Sequence, residues 1–181
     1  MRYNQKAFCD FLINPAVLPM TDIYKFLENN GIHYQRFDHP AVYTVEEAER
    51  LCPKMPGASI KNLFLRDKNG KRHFLAVVGW KKSVDLKKLN ELLGVSGLSF
   101  ASPERLQKYL GVEPGSVTLL GLIKDQNHEV EVVIDKQLWG QALQCHPLVN
   151  TATLVMPADG IERFLKKTGH VYQTIEIPER K

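Results

Sequence analysis

The chain has 181 residues, of which 44% are hydrophobic and 24% are charged, and both values are ordinary for a globular protein. A chain of this length can bury a proper core in one domain without disulfides or metal staples. Its formal net charge of +4 is too small to establish nucleic-acid binding by itself. Its longest apolar runs are too short to cross a bilayer, so we expect no membrane partner.

The N-terminal residues and the cysteines indicate a cytoplasmic protein. The first ten residues contain no continuous apolar stretch of the kind that a secretory signal requires. Cys9, Cys52 and Cys145 are widely spaced and form no CxxC pair. We therefore expect reduced thiols, no metal site and no cofactor.

An N-terminal extension is expected ahead of a single domain. Asn14-Pro15 and Leu18-Pro19 would interrupt any long helix at the start of the chain. We assign residues 1–19 to the extension and residues 20–181 to the domain. The extension either packs on the domain, contacts a partner or has no fixed structure.

Capping residues and glycine stops predict helices, with Thr21 as the first N-cap. The predicted helices cover residues 22–30, 45–51, 86–93, 103–110 and 157–167. Apolar or alternating runs predict strands at residues 32–37, 60–66, 71–78, 117–122, 130–134, 151–156 and 171–177. Helices and strands mix without strict alternation, so the pattern favours an α+β fold with a mixed sheet.

Lys61 lies where a strand should bury an apolar side chain. Residues 60–66 and 71–78 are joined by a polar turn that ends in Asn-Gly, which predicts a hairpin. Because side chains alternate along a strand, Lys61 shares a face with Leu63, and Asn62 points to the other face. The lysine either reaches solvent, which is the more common case, or serves a site.

Basic residues are clumped in two places. One group lies at residues 81–88 and the other at the hairpin turn, where Arg66, Lys68, Lys71 and Arg72 are close in sequence. Such groups either hold a phosphate backbone or form an ordinary solvated surface. The sequence leaves both interpretations open.

Four segments carry a resemblance to a known family. They are residues 38–48, 61–65, 111–118 and 146–153. In this order they resemble the YbaK/ProX family of editing domains, which is related to the insertion domain of bacterial prolyl-tRNA synthetase and removes wrong amino acids from tRNA in trans. The similarity spans about residues 20–177, and the hairpin together with residues 99–102 looks most like the alanyl-tRNA(Pro) deacylases of the ProXp-ala type.

The resemblance implies a curved, mixed β-sheet surrounded by helices, and hydrolysis of the ester that joins a small amino acid to the terminal ribose of tRNA. The implied partners are the acceptor end of tRNA, in particular tRNA(Pro), and prolyl-tRNA synthetase. Lys61 falls on the essential lysine of the family, and Asn62 and His146 are the further expected catalytic residues. The expected substrate contacts are Tyr43, Gly115, Ser116, Val117, Thr118 and Asn150.

The loop that begins at Gly115 departs from the family pattern. Relatives have Gly-x-x-x-Pro there, whereas the fifth residue of this loop is Leu119. Proline fixes φ and leucine does not, so the accepted amino acid is open. A synthetase pocket for proline loses only about 1–3 kcal/mol of binding free energy per missing methylene, so it cannot easily reject the smaller alanine. A second, smaller pocket is therefore needed to remove alanine.

The residue types fit attack by water rather than by a protein nucleophile. No GxSxG elbow is present, and the adjacent Cys145 and His146 point apart on an extended segment. We hypothesise that Lys61 anchors the 3′-terminal nucleotide. Asn62 either bonds the ribose or carbonyl or caps a turn, and His146 positions either the substrate or a loop backbone.

Tyr43 either lines the pocket or packs against the helix start that follows it.

Three functions remain open at this point. The first is a deacylase for alanine on tRNA(Pro), and the second is a deacylase for another amino acid such as cysteine or serine. The third is a non-catalytic module that binds tRNA or a synthetase.

Overall fold

The computed structural model describes residues 22–42, 47 and 50–180. The predicted extension, Tyr43 and most of the predicted helix at 45–51 lie outside the described residues. Within that helix, Glu47, Arg50 and Leu51 are helical.

Four further helices lie close to their predicted ranges. They are α1 (Ile23–Asn29), α2 (Leu86–Leu92), α3 (Pro103–Leu110) and α4 (Ala158–Thr168). The predicted cap of α1 at Thr21 is wrong by one residue. Asp22 is the N-cap, because its carboxylate accepts hydrogen bonds from the main-chain N–H groups of Tyr24 and Lys25 at 3.0 and 3.4 Å.

Eight strands of the described chain form one mixed sheet, which confirms the α+β prediction. They are β1 (Gln35–Asp38), β2 (Ala58–Arg66), β3 (His73–Gly79), β4 (Ser99–Phe100), β5 (Val130–Asp135), β6 (Leu143–Cys145), β7 (Ala152–Met156) and β8 (Tyr172–Ile175). The strand order is β1-β7-β6-β2-β3-β5-β8, and β4 pairs with β2 beside β6. The β2–β6, β3–β5 and β5–β8 pairs are parallel and the others antiparallel.

Both faces of the sheet are covered, so its central strand β3 is buried over six of its seven residues. One core contains Phe64 of β2 together with buried residues of α1, α3 and α4. The other core contains Leu65 of β2 and Leu89 of α2. The alternation predicted for β2 is therefore confirmed, and Lys61 and Asn62 point to opposite faces.

The strand predicted at residues 117–122 is wrong. A 3-10 helix spans Leu119–Lys124, and the side chain of Thr118 accepts a hydrogen bond from the main-chain N–H of Leu120 at 3.3 Å. Its first five residues are buried. Gly121 lies against α3, where an added Cβ would be 3.1 Å from the Cβ of Leu110. The sequence of this short apolar run fits either a strand or a helix, and packing against α3 therefore determines that it forms a 3-10 helix.

Candidate active site

One edge of β2 is interrupted in the middle of the strand. On that edge β6 pairs with Ala58 and Ser59, and β4 pairs with Leu65 and Arg66. Within the described part of the chain, no strand pairs with residues 60–64 there, while β3 covers the opposite edge. We call this interval, residues 60–64, the β2 gap.

The main chain of Asn62 faces the β2 gap. The carbonyl of Phe64 accepts a hydrogen bond from the N–H of Ala101 at 2.9 Å, so the polar groups of Phe64 point to this edge. Main-chain groups alternate in direction along a strand, so the N–H and C=O of Asn62 point the same way. Among the described residues, no partner strand satisfies this donor and this acceptor.

The side chain of Asn62 also has an unused group. Its Oδ1 is buried and has no hydrogen-bond partner among the residues that the structure describes. Leaving such an atom unpaired costs about 1–3 kcal/mol, so the position is poised for an external donor. Asn62 lines a cavity of about 260 Å³ together with Gly115 and Val117, two of the predicted substrate contacts.

Lys61 lines a different cavity, of about 210 Å³, on the other face of β2. Leu63 and Phe100 line both cavities, so the two meet at the β2 gap. Lys61 takes part in none of the ion pairs found among the described residues. The lysine is half-buried and its charge is available to a ligand.

His146 lies at a third position, in a cleft of about 400 Å³ that also contains Ile60 and Trp80. Ile60 and Asn62 are on the same face of β2, about 7 Å apart along the strand. The cleft therefore borders the Asn62 face through Ile60, whereas Ser59 and its strand partner Gln144, which also line the cleft, lie on the Lys61 face. The structure thus places Lys61 and Asn62 on opposite faces of β2 and His146 in a cleft at one end of the β2 gap.

The tautomer of His146 follows from its hydrogen bond. Its Nδ1 lies 3.1 Å from the main-chain oxygen of Ala152, which can only accept, so Nδ1 carries the proton. Burial lowers the pKa of His146, and the nearby His39 lowers it further against the effect of the Ala152 hydrogen bond. The ring is therefore neutral near pH 7, and its Nε2 presents a lone pair.

His39 supports His146 and was not predicted as a site residue. The two rings lie 6.2 Å apart, edge to face. His39 donates from Nδ1 to the oxygen of Pro40 at 2.8 Å, so its Nε2 accepts from the hydroxyl of Thr153 at 2.9 Å. A buried histidine with both nitrogens satisfied is fixed in place. Its position in the resembling segment 38–48 was the only signal in the sequence.

Thr118 belongs to the framework of the site. It is fully buried, and its hydroxyl donates a hydrogen bond of 2.7 Å to the main-chain oxygen of His146. The next residue, Leu119, is also fully buried and packs in the core that contains Phe64. Leu119 does not line the cavity that contains Asn62 and Gly115.

Gln144 organises the wall of the cleft and was also missed. Its Oε1 accepts a hydrogen bond of 2.7 Å from the hydroxyl of Ser59. Its Nε2 lies within 3.1–3.3 Å of the main-chain oxygens of Met55, Pro56 and Gly57. One side chain thereby holds the loop before β2 against β6.

The remaining predicted substrate contacts do not all lie in the three cavities. Gly115 has φ of +89°, a conformation that favours glycine, and it lies in the Asn62 cavity. Ser116 and Asn150 are half-buried and line none of the three cavities. Tyr43 lies outside the described residues.

Several of the clumped basic residues have acidic partners. Arg72 makes two hydrogen bonds of 2.7 Å to Glu131, and Lys82 lies 2.6 Å from the buried Asp135. Lys88 lies 3.7 Å from Asp85. These charges are used within the fold, which distinguishes them from Lys61.

The described residues contain neither a metal-binding cluster nor a membrane-spanning helix. No three His, Cys, Asp or Glu side chains among them are grouped so that they could hold a metal ion. In the same part of the chain, no helix has the length and apolar character needed to span a membrane.

Comparison with known proteins identifies the family. The aminoacyl-tRNA editing domain family matches residues 39–164, a range that contains β2, its gap and the His146 cleft. The chain belongs to this family. It is therefore an editing domain, a hydrolase of the ester bond in aminoacyl-tRNA, as the resemblance implied.

Curated relatives extend over most of the chain. The prolyl-tRNA editing protein ProX of Acetoanaerobium sticklandii is 40% identical over 152 residues, which cover 83% of this chain and 93% of the relative. The prolyl-tRNA synthetase associated domain-containing protein 1 of Danio rerio is 36% identical over 162 residues, covering 86% and 87% of the two chains. The proline–tRNA ligase of Aquifex aeolicus is 24% identical over 132 residues, which cover 73% of this chain and 22% of the ligase.

A solved structure confirms the fold of the editing domain. A crystal structure described as a trans-editing enzyme candidate for prolyl-tRNA synthetase superimposes with a TM-score of 0.65. It covers 91% of this chain and all of the other, at 21% sequence identity. This likeness concerns the fold alone.

Proposed function

We propose that this chain hydrolyses tRNA(Pro) mischarged with alanine and acts in trans as a proofreading enzyme in the cytoplasm. The relative from Acetoanaerobium sticklandii is named a prolyl-tRNA editing protein, which supports tRNA(Pro) as the partner. The observation that carries the proposal is the β2 gap. Within the described part of the chain, it places groups of Asn62 that lack hydrogen-bond partners beside a lysine that lacks an acidic partner, on an edge where no strand pairs.

Asn62 binds the aminoacyl group in this proposal. The α-amino group of the substrate supplies the donor that Oδ1 lacks. The main-chain N–H of Asn62 faces the gap and donates to the ester carbonyl oxygen. A donor fixed at that oxygen stabilises the negative charge that develops there during hydrolysis.

Lys61 anchors the terminal nucleotide from the other side of β2. Its ammonium lies on the opposite face of the strand, so it contacts the phosphate or ribose rather than the amino acid. The positive charge also raises the electrostatic potential at the ester. Two adjacent residues on opposite faces of β2 thus bind the nucleotide and the amino acid.

His146 positions the water or ribose hydroxyl that takes part in the attack. Its Nε2 accepts a hydrogen bond from that water or hydroxyl, because the proton on Nδ1 is already bonded to the main-chain oxygen of Ala152. The ribose hydroxyl next to the ester helps to activate the water. A protein nucleophile is therefore not required.

The lining of the Asn62 cavity favours alanine over serine. Asn62 is the only polar side chain among the described residues of this lining, and Phe64, Leu106 and Val117 form apolar walls. A methyl group fits such walls, whereas the apolar side chains offer a serine hydroxyl no replacement for its hydrogen bonds to water. We propose that these walls also exclude proline by size, and that prolyl-tRNA synthetase is a partner.

The proposal is tested by deacylation of a panel of tRNA(Pro) charged with alanine, serine, cysteine or proline. We expect fast release of alanine, slow release of serine and proline, and no enzymatic release by Lys61→Ala. Faster release of cysteine or serine would reassign the substrate. No release from any of the four would refute the deacylase activity on tRNA(Pro) and favour a binding module.

A further inference from the structure

Phe100 is an exposed aromatic residue beside the site. It lies on the two-residue strand β4, and 61% of its surface is accessible. A single exposed apolar side chain is ordinary on a protein surface, so the position of Phe100 beside the site is what singles it out. Phe100 lines both the Lys61 cavity and the Asn62 cavity.

The strand register places Phe100 on the same face as Lys61. Phe100 pairs with Leu65 of β2, and directly paired residues of antiparallel strands point to one face. Leu65, Leu63 and Lys61 share that face because they alternate along β2. The ring and the ammonium therefore border one cavity, which Leu63 also lines.

A second cation reaches this cavity from the C-terminal segment. The main-chain N–H of Arg180 donates to the oxygen of Ser83 at 2.7 Å, and Val84 forms an isolated bridge with Glu179. The N–H of Asp85 donates to the oxygen of Pro178 at 2.9 Å. These bonds hold residues 178–180 along residues 83–85, and they bring Arg180 to the Lys61 cavity.

The cavity therefore combines an exposed ring with two cations. Neither Lys61 nor Arg180 takes part in an ion pair among the residues that the structure describes. Single-stranded nucleic acid is held by this combination, since bases stack on aromatic rings and phosphates pair with basic side chains. A peptide added at the sheet edge would use the main chain of β2 and would need neither cation.

We infer that the base of the 3′-terminal adenosine stacks on Phe100, and that Arg180 joins Lys61 in binding its phosphate. The inference rests on the proposed function and adds two positioning residues to it. The nucleotide then lies on the Lys61 face, and the ester crosses the β2 gap to Asn62. The C-terminal segment becomes a part of the tRNA-binding site.

The inference is tested with an RNA hairpin that ends in single-stranded CCA and carries 2-aminopurine in place of the terminal adenine. Stacking on Phe100 should quench its fluorescence, and Phe100→Leu should abolish the quenching, whereas Phe100→Trp should retain it. Phe100→Leu should weaken binding of the CCA hairpin by about 5- to 150-fold. It should leave the affinity for the hairpin without the terminal nucleotide unchanged.

Arg180→Gln should weaken binding and lower the salt dependence, the slope of log K against log salt, by about 0.7. The matched controls are Leu92→Ala, whose side chain is also 61% accessible, and Lys166→Gln on α4, which borders a different groove. Both controls should bind as the wild-type chain does.

Three results would overturn the inference. They are quenching that survives Phe100→Leu, equal loss of affinity for both hairpins, and a change in oligomeric state by Phe100→Leu with RNA binding intact. If the wild-type chain releases alanine from tRNA(Pro) and the Phe100→Leu variant does so with the same KM, only the stacking is refuted. A chain that binds the CCA end through Phe100 but releases no amino acid would refute only the proposed function.

Discussion

The hydroxyl of Thr118 is bonded to the main-chain oxygen of His146 at 2.7 Å. This bond connects the loop that supplies Gly115 and Val117 with the segment that supplies His146. Thr118 is fully buried, so water does not compete for the bond. Thr118 therefore holds the Asn62 cavity and the His146 cleft in fixed relative positions, although it lines neither of them.

Thr118→Val removes this bond with little change in shape. It leaves the oxygen of His146 and the N–H of Leu120 without their partner, so the free energy of unfolding should fall by about 1–3 kcal/mol. Deacylation should slow because His146 loses its anchor, and Thr118→Ser should restore both properties. Urea unfolding and single-turnover deacylation measure the two effects. A control is Thr168→Val, whose hydroxyl bonds only within α4, and it should keep full activity.

His73 should make the chain less stable in mild acid. It is buried, and its Nε2 accepts a hydrogen bond from Arg105 at 2.6 Å. Burial, and secondarily the charge of Arg105, lower the pKa of His73 below 6.5. The pKa of His146 is lowered in the same direction.

The sign follows from proton binding in the two states. Above pH 6.5 both states are neutral at His73 and the stabilisation is complete. As the pH falls from 6.5 toward the lowered pKa of the folded state, the unfolded chain binds the proton first, so the free energy of unfolding decreases. Urea unfolding at pH 7.5 and 5.0 measures the decrease, and His73→Gln should reduce it. Equal pH dependence in both proteins would contradict this origin.

Cys145 should have no part in the chemistry. It is fully buried, and burial raises the pKa of its thiol to about 12, so the thiolate needed for nucleophilic attack is absent near pH 7. Cys145→Ala should deacylate at the wild-type rate. Iodoacetamide should label Cys145 only after unfolding, as mass spectrometry of the digested protein would show. Activity lost in a folded Cys145→Ala protein would contradict the water mechanism.

Val117 should determine the size of the accepted amino acid. Val117→Ala removes two methyl groups from the wall of the Asn62 cavity. Release of proline from Pro-tRNA(Pro) should therefore rise by about tenfold or more, while release of alanine changes less. Rates on the two substrates measure this ratio, and Val171→Ala, whose side chain is 88% exposed, is the control. An unchanged ratio would remove Val117 from the selecting wall.

Periodicity in the sequence predicted the parts of the site that depend on local alternation. It placed Lys61 and Asn62 on opposite faces of a strand, and the structure has them there. The β2 gap was not predictable, because β4 and β6 have only two and three residues and show no recognisable pattern. The gap exists only through the register of these short strands on β2.

Other features depend on contacts between distant segments. Gln144 bonds Ser59 and the loop before β2, and His39 bonds Thr153, 114 residues later in the chain. Nothing in the local sequence around these residues indicates their partners. Likewise, the apolar run after Val117 fits a strand or a helix, and packing against α3 decides for the 3-10 helix.

The most direct test of the active site at the β2 gap uses the two Lys-Asn pairs in the chain. Lys61-Asn62 borders the gap, and Lys68-Asn69 lies exposed in the hairpin turn. Single-turnover release of alanine from Ala-tRNA(Pro) is measured for the four alanine variants, with circular dichroism to verify folding. We predict that Lys61→Ala and Asn62→Ala each lose about 100-fold or more in rate, and that Lys68→Ala and Asn69→Ala keep the wild-type rate. Folded Lys61→Ala and Asn62→Ala proteins that release alanine at the wild-type rate would contradict the account.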